Sequence, residues 1–298
     1  MHDAALDFIH VGRNYGHVQA LRDVSFEARK GEVVALLGPN GAGKSTAIAL
    51  MLGLRAPSFG RVTVLGEDPR REGTRGRIGA MLQETALPPG VKVAELLAFQ
   101  RSLYPRPLPF DAVVERGRVG DLLGLRVERL SGGQRRRVLF ALAVAGDPEV
   151  LFLDEPTAGM DTESRAFFWR EMDELSHSGR TILFTTHYLE EADRHARRIL
   201  LLQGGRLAAD ATPEQMRRRT GESTMKFSIS PDWVEKVAGL LPDCRVAAHG
   251  PRVSVVTADA EAALRVLFAH DVPLHGLEVT VGSLEEALLQ LQEGGDDR

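Results

Sequence analysis

The stretch Gly38-Pro39-Asn40-Gly41-Ala42-Gly43-Lys44-Ser45-Thr46 fits the spacing G-x-x-x-x-G-K-[ST] of a loop that wraps phosphates. Its glycines let backbone N–H groups curl toward an anion, and a helix starting behind it adds a positive dipole end. Lys44 is placed to neutralise the β- and γ-phosphates of a nucleoside triphosphate, and the Ser45 hydroxyl to ligate Mg²⁺. Ahead of the loop runs Val33-Val34-Ala35-Leu36-Leu37, an unbroken apolar run that reads as a buried parallel strand. Behind it, Thr46 to Leu54 has the spacing of a helix. Strand, loop and helix in that order are the setting such a loop requires.

Working outward, four more apolar runs end in polar residues or turns: Ile78-Gly79-Ala80-Met81-Leu82 before Gln83, Val150-Leu151-Phe152-Leu153 before Asp154-Glu155, Thr181 to Thr186 before His187, and Ile199 to Leu202. Together they predict an α/β fold, a P-loop NTPase core with a parallel sheet flanked by helices. The adjacent carboxylates divide the work. Asp154 is suited to hold Mg²⁺, directly or through water. Glu155, pointing the other way, is suited to polarise an attacking water as general base.

The segment from about 85 to 146 breaks this alternation. Val93 to Leu103 and Val138 to Ala145 read as helices, with Pro-rich breaks at 88–89 and 105–109, so a helical subdomain is expected inside the core. It contains Leu130-Ser131-Gly132-Gly133-Gln134. Those glycines expose backbone N–H groups at the start of a helix beginning near Gln134, a second anion site in a chain that already has one at Lys44. Arg135-Arg136-Arg137 then reads as a solvated helix face.

A phosphate loop followed by LSGGQ resembles the nucleotide-binding subunit of ATP-binding cassette (ABC) transporters, over roughly the first two thirds of the chain. The resemblance implies that Ser131, Gly132, Gly133 and Gln134 face the γ-phosphate held by a partner subunit, so that a homodimer closes on Mg-ATP. It implies that Asp161 contacts the partner across the dimer. Gln83 would contact Mg²⁺ and join the core to the helical subdomain, and His187 would be the switch histidine that reaches the γ-phosphate. Tyr15 takes the place of the family's adenine-stacking aromatic; read alone, it fits a half-buried strand tyrosine equally well. The family's integral membrane permease would be a separate chain, docked near Gln83 and the helical subdomain, placing this subunit on the cytoplasmic face of the membrane. The connection between Leu125 and Leu130 is shorter than the family pattern, which bears on the face that meets the membrane partner.

Length and composition agree. The 298 residues suffice for about two domains, and 43% hydrophobic residues supply a core. A net charge of −4 argues against a general nucleic-acid binder. The single cysteine, Cys244, excludes an intrachain disulfide, and no apolar run approaches the roughly 20 residues a membrane span needs. Met1-His2-Asp3-Ala4 has no basic region or apolar stretch of a signal peptide. Residues 1–219 are expected to form the nucleotide-binding domain, with a linker near 216–223. Residues 222–298 are expected to form a small α+β ferredoxin-like domain: strand 224–230, helix 232–241, a hairpin of 245–248 and 252–257, helix 260–269, strand 277–281, and a last helix 284–291 capped by Ser283. Such an extension is similar to that on ATPases of drug, antibiotic and other small-molecule exporters. The rival reading is a soluble ABC-type ATPase with a mechanical role outside transport, of the cell-division kind. DNA-repair types carry a long coiled coil that this sequence lacks, and ribosome-acting types fuse two cassettes where one phosphate loop stands here.

Overall fold

The computed structural model describes residues 4–83, 85–219, 223–281 and 284. The chain divides into two compact units, 1–210 and 211–298. In the first unit the strands are β1 (Ala4–Tyr15), β2 (Val18–Arg29), β3 (Val33–Leu37), β4 (Phe59–Val64), β5 (Ile78–Met81), β6 (Val150–Asp154), β7 (Thr181–Thr185), β8 (Arg198–Gln203) and β9 (Arg206–Ala211).

The central sheet has the order β5-β6-β7-β3-β8-β9. Pairing from β5 to β8 is parallel. Every residue of β3, β6 and β7 is buried, so these strands show no alternation, as a sheet covered on both faces demands. The antiparallel sheet β2-β1-β4 lies against this core. Its Phe8 and Phe26 rings stack with centroids 4.6 Å apart. Leu6, Phe8 and Val24 from that sheet share one apolar cluster with Leu36, Phe152 and Leu200 from the central sheet and with Ile48 and Met51 of the helix Lys44–Met51. The order puts the C-terminal ends of β3, β6 and β7 side by side, which is where open α/β sheets bind ligands.

The helices Val93–Ser102, Phe110–Gly117 and Gly132–Val144 form the inserted subdomain around Val93, Leu97, Val113, Val138 and Ala141. The last of these helices begins at Gly132, earlier than its apolar spacing suggested, because Ser131 caps it. Arg135, Arg136 and Arg137 are not a solvated face. Arg135 donates to the Thr85 carbonyl, and Arg137 donates to the Arg118 carbonyl and pairs with Asp121. The Arg135 and Arg137 guanidiniums have bare carbonyls or carboxylates in reach, and these outcompete water, while Arg136 is half-buried. Leu54, Phe99 and Leu103 remain largely exposed.

The second unit begins with a helix, Pro213–Arg219, where the sequence reading expected a linker. Thr212 and Gln215 explain it: the Gln215 amide oxygen accepts from the Thr212 N–H at 3.0 Å, and the Thr212 hydroxyl accepts from the Gln215 N–H at 3.1 Å. This reciprocal cap starts the helix and fully buried Met216 anchors it. The strands β10 (Ser223–Ser228), β11 (Arg245–His249), β12 (Arg252–Thr257) and β13 (His275–Val281) pair antiparallel in the order β11-β12-β10-β13. Met225, Phe227, Val253 and Val255 of this sheet pack with Val237 of the helix Val234–Leu240 and Leu267 of the helix Ala260–Ala269. The expected last helix, with its Ser283 cap, lies outside the described residues except at Leu284. No helix among the described residues is long and apolar enough to cross a membrane.

Candidate functional site

At the end of β3 the chain turns through Gly38, Gly41 and Gly43, at φ +147°, +80° and +105°. A Cβ at Gly38 would overlap the Leu202 carbonyl oxygen, and one at Gly43 would press on the Ala20 carbonyl and the Leu21 side chain. A Cβ at Gly41 would meet nothing within 4 Å among the described residues. No side chain caps the helix Lys44–Met51 at Gly43, which leaves the N–H groups of its first turn available to an anion. The Lys44 ammonium donates to the carbonyls of Gly38 at 2.5 Å and Pro39 at 3.0 Å. Burial pushes its pKa down, and the Glu155 and Asp154 carboxylates draw it back up.

The loop forms one wall of a cleft of about 510 Å³, which Tyr15, Val18, Arg22, Gln83, Asp154, Glu155 and Gly204-Gly205 also line. Tyr15, at the end of β1, is 42% exposed, and the Arg13 guanidinium carbon sits 4.6 Å from its ring centroid. Asp154 ends β6, is buried, and accepts a hydrogen bond from the Thr185 hydroxyl at 2.6 Å. Glu155 takes the left-handed backbone, φ 50°. One of its oxygens accepts from the Gln83 amide nitrogen at 2.9 Å, and the other touches His187 Nε2. Gln83, Glu155 and His187 thus converge from the ends of β5, β6 and β7.

Ser131, Gly132, Gly133, Gln134 and Asp161 do not line this cleft. The Ser131 hydroxyl accepts from the Gln134 N–H at 3.3 Å, and the Gln134 side chain accepts from the Ser131 N–H at 2.9 Å. Asp161 caps the helix Thr162–His177, accepting from the N–H and hydroxyl of Ser164 at 2.8 and 2.9 Å. Those bonds hold its pKa below the ordinary aspartate value. Ser131, Gly132 and Asp161 are exposed.

Some contributors carried no sequence signal. Thr185 donates to Asp154 and also accepts the Glu155 N–H at 3.0 Å, so it fixes the Asp154 carboxylate and the Glu155 backbone. Gly205 accepts the Arg22 N–H at 2.7 Å, bringing the β8–β9 turn to the cleft. Arg136 is half-buried, and its Nη1 has no hydrogen-bond partner among the described residues. Burial lowers its pKa, while Glu155 and Asp154 pull it up.

The donors suit Mg²⁺. The Ser45 hydroxyl, the Asp154 carboxylate and the Gln83 amide oxygen are hard ligands at one cleft. Among the described residues no cluster of three or more His, Cys, Asp or Glu could cage an ion. An ion here would therefore complete its shell with phosphate and water, as Mg²⁺ does.

The ABC transporter family model matches residues 21–158. The Nod factor export ATP-binding protein I of Paraburkholderia xenovorans is 39% identical over 223 residues, 72% of this chain and 73% of that protein. Its namesake from Rhizobium etli is 38% identical over 219 residues, 71% of this chain and 69% of that protein. An ATP-binding subunit of an ABC transporter superposes with TM-score 0.68 at 27% identity, covering 73% of this chain and 93% of that one. A bacterial Atm1-family ABC exporter with ATP bound gives 0.67 at 27%, covering 74% and 40%. The phosphate loop, the carboxylate pair after β6 and this likeness coincide along the same residues, and the chain belongs to the ABC transporter family, as one of its ATP-hydrolysing subunits.

Proposed function

We propose that two copies of this chain bind two Mg-ATP head to tail and drive export of a small molecule through a membrane permease made of other chains. The convergence of Gln83 and His187 on Glu155 carries this reading. A carboxylate held at both oxygens beside the phosphate loop is oriented to take a proton from a water attacking the γ-phosphate. Lys44 and the loop N–H groups hold the β- and γ-phosphates, and Tyr15 stacks on adenine. Ser45, Asp154 and Gln83 hold Mg²⁺, which when bound supplies positive charge to the phosphate oxygens. Ser131, Gly132, Gly133 and Gln134 serve the nucleotide on the other subunit, because they stand outside their own chain's cleft, and Asp161 meets the partner beside them. The curated relatives named above are export ATP-binding proteins, which favours export and a place on the cytoplasmic face of the membrane.

Glu155→Gln tests the reading. The variant keeps the shape of the side chain and removes its basicity. It is expected to bind Mg-ATP, accumulate as an ATP-bound dimer, and turn over about 10²–10⁴-fold more slowly. Phosphate release at the wild-type rate from the purified variant would refute the role.

A further inference from the structure

We propose that Glu191 is a positioning residue for hydrolysis, its buried carboxylate clamping the loop that follows Glu155 to the loop that carries His187. Glu191 lies in the first turn of the helix Leu189–His195 and is only 6% exposed. A buried carboxylate needs partners at both oxygens, and here those partners come from separate loops. The Thr157 hydroxyl donates to Oε1 at 2.7 Å, and the Thr186 hydroxyl donates to Oε2 at 2.7 Å. Arg165 Nε lies 3.6 Å from Oε1 and supplies the opposite charge.

The position of these partners in the chain gives the contact its meaning. Thr157 is two residues beyond Glu155, in a turn closed by the Ala158 N–H to the Glu155 carbonyl at 3.3 Å and the Met160 N–H to the Thr157 carbonyl at 3.1 Å. That turn runs into Asp161. Thr186 directly precedes His187, and its hydroxyl also accepts the Tyr188 N–H at 2.9 Å. Arg165 sits on the helix that Asp161 caps, and its guanidinium carbon lies 4.4 Å from the centroid of the Tyr188 ring. One carboxylate behind the site therefore ties together the flanks of Glu155, His187 and Asp161. Each threonine spends its one proton on Glu191, so neither hydroxyl can hold the other loop directly. Neither Glu191 nor Thr157, Thr186 or Arg165 is among the residues that line the cleft, and the effect of Glu191 runs through the distance at which His187 meets Glu155.

The inference rests on the roles proposed above for Glu155 and His187, and the experiment separates the two. Full-length wild type, Glu155→Gln, Glu191→Gln, Thr157→Val and Thr157→Ser are compared for thermal unfolding, ATP affinity by titration, and kcat and KM by phosphate release. Glutamine offers one acceptor where two are needed, and valine removes one donor at nearly constant volume. Both variants are expected to lose kcat, by up to about 10²-fold for a small misplacement of reacting groups. ATP affinity and KM should stay within about twofold of wild type, because the lost contact acts on the chemical step. Thr157→Ser, which restores the hydroxyl, should recover most of the rate. Variants that melt at a lower temperature but keep wild-type kcat would show a purely structural residue and overturn the inference. Should Glu191→Gln fail to fold, Thr157→Val against Thr157→Ser decides alone. A wild-type chain without turnover, or a fully active Glu155→Gln, would overturn the proposed function and this inference with it. An active wild type and a dead Glu155→Gln beside unaffected clamp variants would overturn this inference only.

Discussion

On the role proposed for it, Lys44 has two sets of acceptors to choose between, its own loop carbonyls and a nucleotide's phosphates. Its ammonium donates to the Gly38 and Pro39 carbonyls, and burial lowers its pKa. Bound phosphates add negative charge and raise it again. The sign follows by linkage: the complex holds the lysine proton more tightly than the free chain, so binding is strongest while the free chain is still protonated. Affinity for ATP should therefore be flat below the depressed pKa and fall as pH climbs through it, before reaching the ordinary lysine value of 10.5. Calorimetric titration across alkaline pH checks this; a Kd that begins to rise only above the ordinary value would contradict it. Asp154 and Glu155 were legible in the sequence because they adjoin an apolar run that fixes them at a strand end, and Lys44 and Ser45 because the glycine spacing sets them at the start of a helix. Thr185 and Glu191 were not, because what makes them matter is a partner about 30 residues away on another strand or loop.

At the scale of elements, glycine placement couples strands to the phosphate loop. Gly38 needs its positive φ and its missing side chain together, since a Cβ would strike the Leu202 backbone of β8. Gly38→Ala is expected to cost about 1–3 kcal/mol of stability, read from urea unfolding, and to weaken ATP binding. Gly41→Ala meets no neighbour and carries only the cost of its φ, so it should cost less. Equal losses at the two sites would show that the carbonyl contact is unimportant. The parallel strands were readable because continuous burial writes an unbroken apolar run. The antiparallel sheet β2-β1-β4 went unread: β1 shifts register repeatedly against β2, which scrambles the alternation that marks a half-buried strand. The helix Pro213–Arg219 was hidden for another reason. Its arginines suggest a solvated connection, while the features that make it a helix, the Thr212–Gln215 cap and buried Met216, are local and small.

For the whole molecule, the separation of Ser131–Gln134 from the cleft of the same chain makes a prediction about pairs of chains. Gly133→Asp puts a negative charge where backbone N–H groups would meet phosphate, and Lys44→Ala removes the cation from the other half of the site. Either variant alone should hydrolyse ATP poorly. Mixed, they form heterodimers with one intact composite site, so the mixture should exceed both homodimers in phosphate release. A heterodimer that forms, by light scattering, without any gain would count against the two-chain site. The backbone at Glu155 has a different consequence for the molecule. A non-glycine residue at φ 50° costs about 1–2 kcal/mol, and its carboxylate, 13% exposed, sits next in sequence to buried Asp154. The position is a poor choice for folding and, on the proposed role, a good one for chemistry. Asparagine tolerates this backbone and brings no charge, so Glu155→Asn should melt higher than wild type, by about 2–4 °C for a gain near 1 kcal/mol, while losing turnover. On the role proposed for Glu155, heat resistance and catalysis would compete at this one residue, and a screen for thermostability alone would select variants without turnover.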